Sequence, residues 1–194
     1  PSSGDAPTRA DLSSEALRLG RLLLSLLPEP EVAGLLALML LTEARRAART
    51  DAAGDPVLLD DQDRTLWDRA LIAEGEKLVE QALRSRRFGP YSLQAAIAAV
   101  HAEAARPEDT DWEQIVGLYD GLLRAAPSPV VALNRAVAVA MRDGPEAGLA
   151  LIDGLLADGG LDGYYLARAA RADLCRRAGR IEEARAGYRE ALAL

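Results

Sequence analysis

The residues with the greatest chemical reach in this chain are one histidine, one cysteine and a run of aspartates, and none is spaced for catalysis. His101-Ala102-Glu103 has the HxE spacing by which zinc deaminases pair a metal ligand with a proton-transferring carboxylate. The CxxC that completes such a site is absent, because Cys175 is the only cysteine. Asp51, Asp55, Asp60, Asp61 and Asp63 form the densest acidic stretch, yet their intervals are not those of an EF-hand loop. A helix N-terminus favours carboxylates through its dipole, so capping accounts for them better than calcium does. Cys175 stands beside Leu174 on an apolar helix face with no histidine partner in view, the setting of an inert thiol. No HExxH, GxSxG, Walker loop or GxGxxG occurs. The expectation is a non-enzyme with no catalytic, cofactor-binding or metal-ligating residues.

What remains is chemistry of recognition. Arg45, Arg46 and Arg49, and Arg84, Arg86 and Arg87, are short basic clusters of the kind found at solvated helix ends, where cations meet the negative pole of the dipole. Trp67 and Trp112 each fall in a helix's first turns and are expected to pack in a core or wedge. Of 23 cationic side chains all but Lys77 are arginine, against 30 carboxylates, for a net charge of -7. That balance repels phosphate backbones and argues against autonomous nucleic-acid binding.

The elements that hold these residues are helical. The 194 residues are 49% hydrophobic but only 4% aromatic, so the apolar content is mostly Ala, Leu and Val, which suits helix-on-helix packing. The longest apolar run, residues 32–41, is about half of what a bilayer requires. Residues 1–10 read as a linker and lack the blocks of a signal peptide. A single cysteine fits a reducing cytoplasm. Gly, Pro and capping residues divide the chain into nine expected helices: about 11–27, 30–49, 63–86, 90–105, 111–126, 129–143, 145–158, 163–178 and 180–194. The second has almost no polar face and should be buried on several sides. Residues 50–62 break the pattern and predict a small hairpin or ordered loop. Thr110-Asp111-Trp112-Glu113 is a capping box.

The last helical pair carries Gly179, Ile181, Ala184, Tyr188 and Ala191 at the spacing of the second half of a tetratricopeptide repeat. Small residues such as Ala172 and Ala184 let paired helices approach, and Tyr188 is expected to fill the wedge to a neighbour. One period earlier stand Gly144, Gly148, Ile152 and Leu155, and another period earlier Ile115, Tyr119 and Leu122. The expected architecture is therefore all-α: a tetratricopeptide-like solenoid of helical hairpins over 89–194, with repeats at 91–127, 128–161 and 162–194. Residues 11–88 form a helical N-terminal part, either a cap or degenerate repeats. In such stacks the first helix of each repeat lines a concave surface, which here would include Gln94 and His101, then Asn134 and Arg142, then Arg176. These amides and guanidiniums either grip a peptide or small-molecule ligand or tie repeats together.

The strings DDQDRTLWDRALIAEG (60–75), GPYSLQAAIAAVHAEA (89–104), TDWEQIVGLYDGLL (110–123) and PSPVVALNRAVAVAMRDGPEAGL (127–149) carry a family likeness, as does LGRLLLSLLPEPEVAGLLALMLL (19–41). Together they resemble the C-terminal extension of bacterial extracytoplasmic-function (ECF) sigma factors of group 42. The resemblance implies a tetratricopeptide-type regulatory domain behind sigma regions two and four, which bind polymerase and promoter. Both regions are absent here; the chain opens at PSSG, about where the linker after region four would end. The implied partners are those sigma regions or RNA polymerase. The contacts expected from these strings are Asp61, Asp63, Arg64 and Arg69 in 60–69, and Asn134 with Arg135.

Overall fold

A computed structural model describes residues 10–194, so the expected linker at 1–10 lies outside the described residues except for Ala10, which begins the first helix. Among those residues the fold is all-α, with nine α-helices, four one-turn 3-10 helices and no strand. The chain forms two compact units, Pro1–Asp111 and Trp112–Leu194.

The first unit is built around α2 (Pro30–Ala44), against which α1 (Ala10–Leu26), α3 (Arg69–Arg84) and α4 (Pro90–Glu103) all pack. Pro30 and Pro90 open α2 and α4 at a position where the missing N–H costs nothing. The near-absence of a polar face on α2 has its reason here, since Ala33, Leu36, Ala37, Leu40, Leu41 and Ala44 are buried against three neighbours. At Gly34 the approach to α4 is backbone to backbone: a Cβ there would lie 2.6 Å from the Ser92 amide nitrogen and 2.7 Å from its Cα.

Residues 50–62 are an ordered loop. Asp51 Oδ1 accepts from the Ala53 and Asp55 amides at 2.8 and 2.9 Å, and one antiparallel bridge joins Thr50 to Pro56. The third helix begins later than the acidic run implied. Asp63 caps a single 3-10 turn, Arg64–Leu66, by accepting from Thr65 N at 2.9 Å and Thr65 Oγ1 at 2.7 Å. Asp68 then caps α3 through the amides of Ala70 and Leu71. Trp67 therefore sits between two elements rather than in a helix's first turn, and is buried there.

In the second unit α5 (Trp112–Ala125), α6 (Pro129–Asp143), α7 (Pro145–Ala157), α8 (Tyr165–Arg177) and α9 (Ile181–Leu192) each pack on the next in order. Leu133, Ala136, Leu149, Ile152, Ala167, Leu174, Cys175 and Ala184 form one core. Small residues set the helix spacing: a Cβ on Gly148 would meet the Ala136 carbonyl oxygen at 2.8 Å, and one on Gly187 would meet Ala172 Cβ at 3.0 Å. Ion pairs tie α5 to α6 and α7 to α8, Arg135 Nε to Asp120 Oδ1 at 2.5 Å and Arg171 Nε to Asp153 Oδ1 at 2.6 Å. Tyr188 is 37% exposed, and its hydroxyl donates to Asp173 Oδ1 at 3.5 Å.

The division between units falls inside the expected first repeat at 91–127. The alanine-rich face of α4 (Ala95, Ala96, Ala99 and Ala102, all buried) is spent on α2 and α3, whereas α5 packs on α6.

Candidate functional site

Two arginines of the first unit converge on one indole, that of Trp67. Arg64 reaches from its 3-10 turn to the end of α4, where Nη1 donates to the carbonyls of His101 at 2.8 Å and Ala104 at 2.6 Å. His101 stands in the last turn of α4 and Ala104 is its C-cap, where carbonyls lack following helical amides. The Arg64 guanidinium lies 4.7 Å from the centre of the Trp67 ring, and Arg45 lies 6.0 Å from it. Such stacking suits the planar, weakly hydrated guanidinium.

Two of the groups nearest His101 are cations, Arg45 and Arg64, while Asp60, Glu108 and Asp109 act on Arg64 from outside. Burial, then Arg45 and Arg64, push the His101 imidazole down to about 4, so it is neutral at physiological pH. Burial, then Arg49 and Arg64, likewise lower Arg45. Among the described residues no three of His, Cys, Asp and Glu stand close enough to hold a metal ion. Burial also raises the Cys175 thiol, as suits an unreactive core residue.

Arg64 Nε and Nη2, and Trp67 Nε1, are enclosed without a hydrogen-bond partner. That edge of the guanidinium is the one through which Arg18, Arg21, Arg106 and Arg142 each hold a carboxylate. At 7% exposure, Arg64 offers nothing to a partner's surface and works as an internal tie. Its neighbours in the expected contact segment differ: Asp61, Asp63 and Arg69 are exposed, and Arg69 Nη2 lies 3.4 Å from the Arg64 carbonyl.

The other expected binding residues are scattered. Gln94 Nε2 donates back to the Pro90 carbonyl within α4. Arg142 forms a two-pronged pair with Asp143, and Arg176 pairs with Asp173, which also receives Arg177. Asn134 is exposed on α6. Arg135 and its partner Asp120 sit on a cleft of about 430 Å³ between α5, α6 and α7, whose apolar lining includes Leu123, Ala132, Leu151 and Leu155.

Sequence reasoning missed two contributors. Arg45 reads as a solvated helix end, and only the fold brings Trp67 over it. Glu31 reads as an ordinary first-turn acid of α2, yet it caps a different helix: its carboxylate accepts from Gly89 N at 2.7 Å, Tyr91 N at 2.9 Å, Ser92 N at 3.1 Å and Ser92 Oγ at 2.5 Å. Burial alone would raise this carboxyl, but the Ser92 hydroxyl and the three amides outweigh it and hold it below its ordinary value.

Glu31→Gln is accordingly expected to lower stability at pH 7 by about 2 kcal/mol, the worth of a charge-assisted cap over a neutral one. Because the folded carboxyl is the stronger acid, its contribution is complete above the unfolded value of roughly 4.3 and disappears as pH falls through the folded one. Urea denaturation at pH 7 and pH 3 checks this; an equal deficit at both would refute the charged cap.

Comparison with known proteins places two findings beside this geometry. Residues 1–83, which span α1, α2 and nearly all of α3, match the model of a family described as of unknown function (DUF6596). An uncharacterized protein of Rhizobium meliloti (strain 1021), R00370, is 53% identical over 193 residues, covering 99% of this chain but 45% of that protein. The chain thus spans less than half the length of the relative it matches. No solved structure matches it.

Proposed function

We propose that this chain is the regulatory, protein-binding part of a longer bacterial ECF sigma factor, acting in the cytoplasm by docking onto the sigma regions of its parent or onto RNA polymerase. The observation that carries this reading is the pairing of end-to-end similarity with unequal length: a 53% identical relative matches 99% of the chain and extends well beyond it. The strings that resemble the group 42 extension say what the remainder would be. The net charge of -7 disfavours DNA and so favours protein as the partner. The exposed residues Asp61, Asp63, Arg69 and Asn134 are the available polar contacts.

The Asp120–Arg135 cleft favours a second reading, a sensor that takes a peptide or small molecule against an apolar floor. One experiment addresses both. Deleting this part from the parent is expected to change promoter-dependent transcription severalfold in purified components; if a ligand-sensing cleft governs it, the change will appear only when cell extract is added. Unchanged output under both conditions would sink the regulatory reading.

A further inference from the structure

Helix α1 is amphipathic twice over. One face sets Leu17 and Leu24 against Leu36, Met39 and Leu40 of α2. The other face turns leucines to solvent: Leu12 is 58% exposed, Leu19 48%, Leu23 41% and Leu26 75%. With Ala16 these four recur at the alternating interval of a heptad seam, the pattern by which one helix lies along another. Scattered exposed leucines are ordinary on a protein surface, but a continuous stripe of them marks an interface.

The flanks of the stripe narrow the choice of occupant. Arg21 stands two residues from both Leu19 and Leu23, on the opposite side of the helix, where Glu74 of α3 holds it at 2.8 and 2.7 Å, and Arg18 is held by Glu15 through two hydrogen bonds of 2.8 Å. Among the described residues of α1 the leucine face therefore lacks the basic border by which amphipathic helices bind anionic lipid. Area argues against a second copy. At 1.5 Å per residue α1 is about 25 Å long, and two such stripes laid together would bury on the order of 800 Å², short of the roughly 1,200 Å² at which stable specific pairs begin. A segment tethered in the same polypeptide needs far less area, because its effective concentration is in the millimolar range. The relative's additional length supplies such a segment.

We propose that the leucine stripe of α1 seats an apolar helical surface of the remainder of its own parent polypeptide. This rests on the regulatory reading above and specifies where the docking occurs. The test places single cysteines at Leu19→Cys, Leu26→Cys and, as a control off the stripe, Ser14→Cys in the full parent chain, and measures their labelling by a small thiol reagent. The unsubstituted parent sets the background rate, and Cys175 within this part is buried. Positions 19 and 26 are expected to label at least about tenfold more slowly than position 14, as sites protected by docking do. Equal rates at all three would overturn the proposal, even if deletion alters transcription and the regulatory reading stands. Protection together with a deletion that leaves transcription unchanged would keep the docking and remove the regulatory reading. Protection that tracks a doubling of mass by light scattering would assign the stripe to a second copy and overturn the proposal.

Discussion

Gly34→Ala is expected to destabilise the Pro1–Asp111 unit by about 3 kcal/mol or more, although alanine is the better helix former by about 1 kcal/mol. Intrinsic propensity and tertiary contact pull in opposite directions here, and magnitude decides. The new Cβ would lie 2.6 Å from Ser92 N and Oγ and 2.7 Å from Ser92 Cα, so the obstacle is largely backbone. That backbone cannot yield cheaply, because the Glu31 carboxylate holds the Gly89, Tyr91 and Ser92 amides in place. Moving α2 instead would loosen the buried contacts of Ala33 and Ala37. Gly117→Ala on α5 supplies the contrast: nothing lies within 4 Å of its Cβ position, so propensity acts alone and the variant should gain up to about 1 kcal/mol. Denaturant midpoints by circular dichroism check both, and a Gly34→Ala midpoint at or above that of the parent would refute the close-approach argument.

Arg64→Met is expected to cost about 2–4 kcal/mol while raising the pKa of His101. The variant keeps an apolar chain against Trp67 but strands the carbonyls of His101 and Ala104, each worth about 1–3 kcal/mol when left unpaired. Relief of a buried cation whose Nε and Nη2 lack partners offsets part of that loss, which keeps the net figure below the sum. Arg64→Lys should not rescue, since an ammonium can neither stack flat on the indole nor match the fork. The histidine gives an independent readout. His101 titrates at about 4 when folded and near 6.5 when unfolded, so between those values the unfolded chain binds the extra proton. Stability is therefore complete above pH 6.5 and falls as pH drops towards 4, by at most about 3 kcal/mol. Removing one of the two arginines that oppose protonation should move the folded value upward and shrink that window, as imidazole NMR would show. An unmoved His101 together with unchanged stability would refute the internal tie.

Much of the helical layout was legible in the residues because its causes are local. Pro30, Pro90, Pro129 and Pro145 begin helices where expected, since a proline's missing amide matters least in the first turn. The all-apolar α2 announced its central position by leaving no face for water. Small residues at Gly148, Ala172 and Ala184 marked close helix pairs, because a missing side chain permits contact whatever the partner is. The start of α3 falls several residues beyond the acidic run, because a cluster of aspartates can cap a single turn, as Asp63 does, as readily as a long helix.

By itself, then, the sequence determined that the chain is helical, where most helices begin and end, which faces are apolar, and that its acidic balance disfavours nucleic acid. Tertiary structure decided which polar residues are surface and which are struts. Arg64 and Arg45 look alike on paper as solvated cations, and periodicity shows only that a position borders an apolar face. It does not show that the carbonyls awaiting Arg64 lie 37 and 40 residues away. The same holds for α1, whose two leucine faces are equivalent in sequence until α2 covers one of them. Periodicity within an element is a short-range property of the backbone, whereas a partner for a charge or an apolar stripe is set by which elements the whole chain brings together.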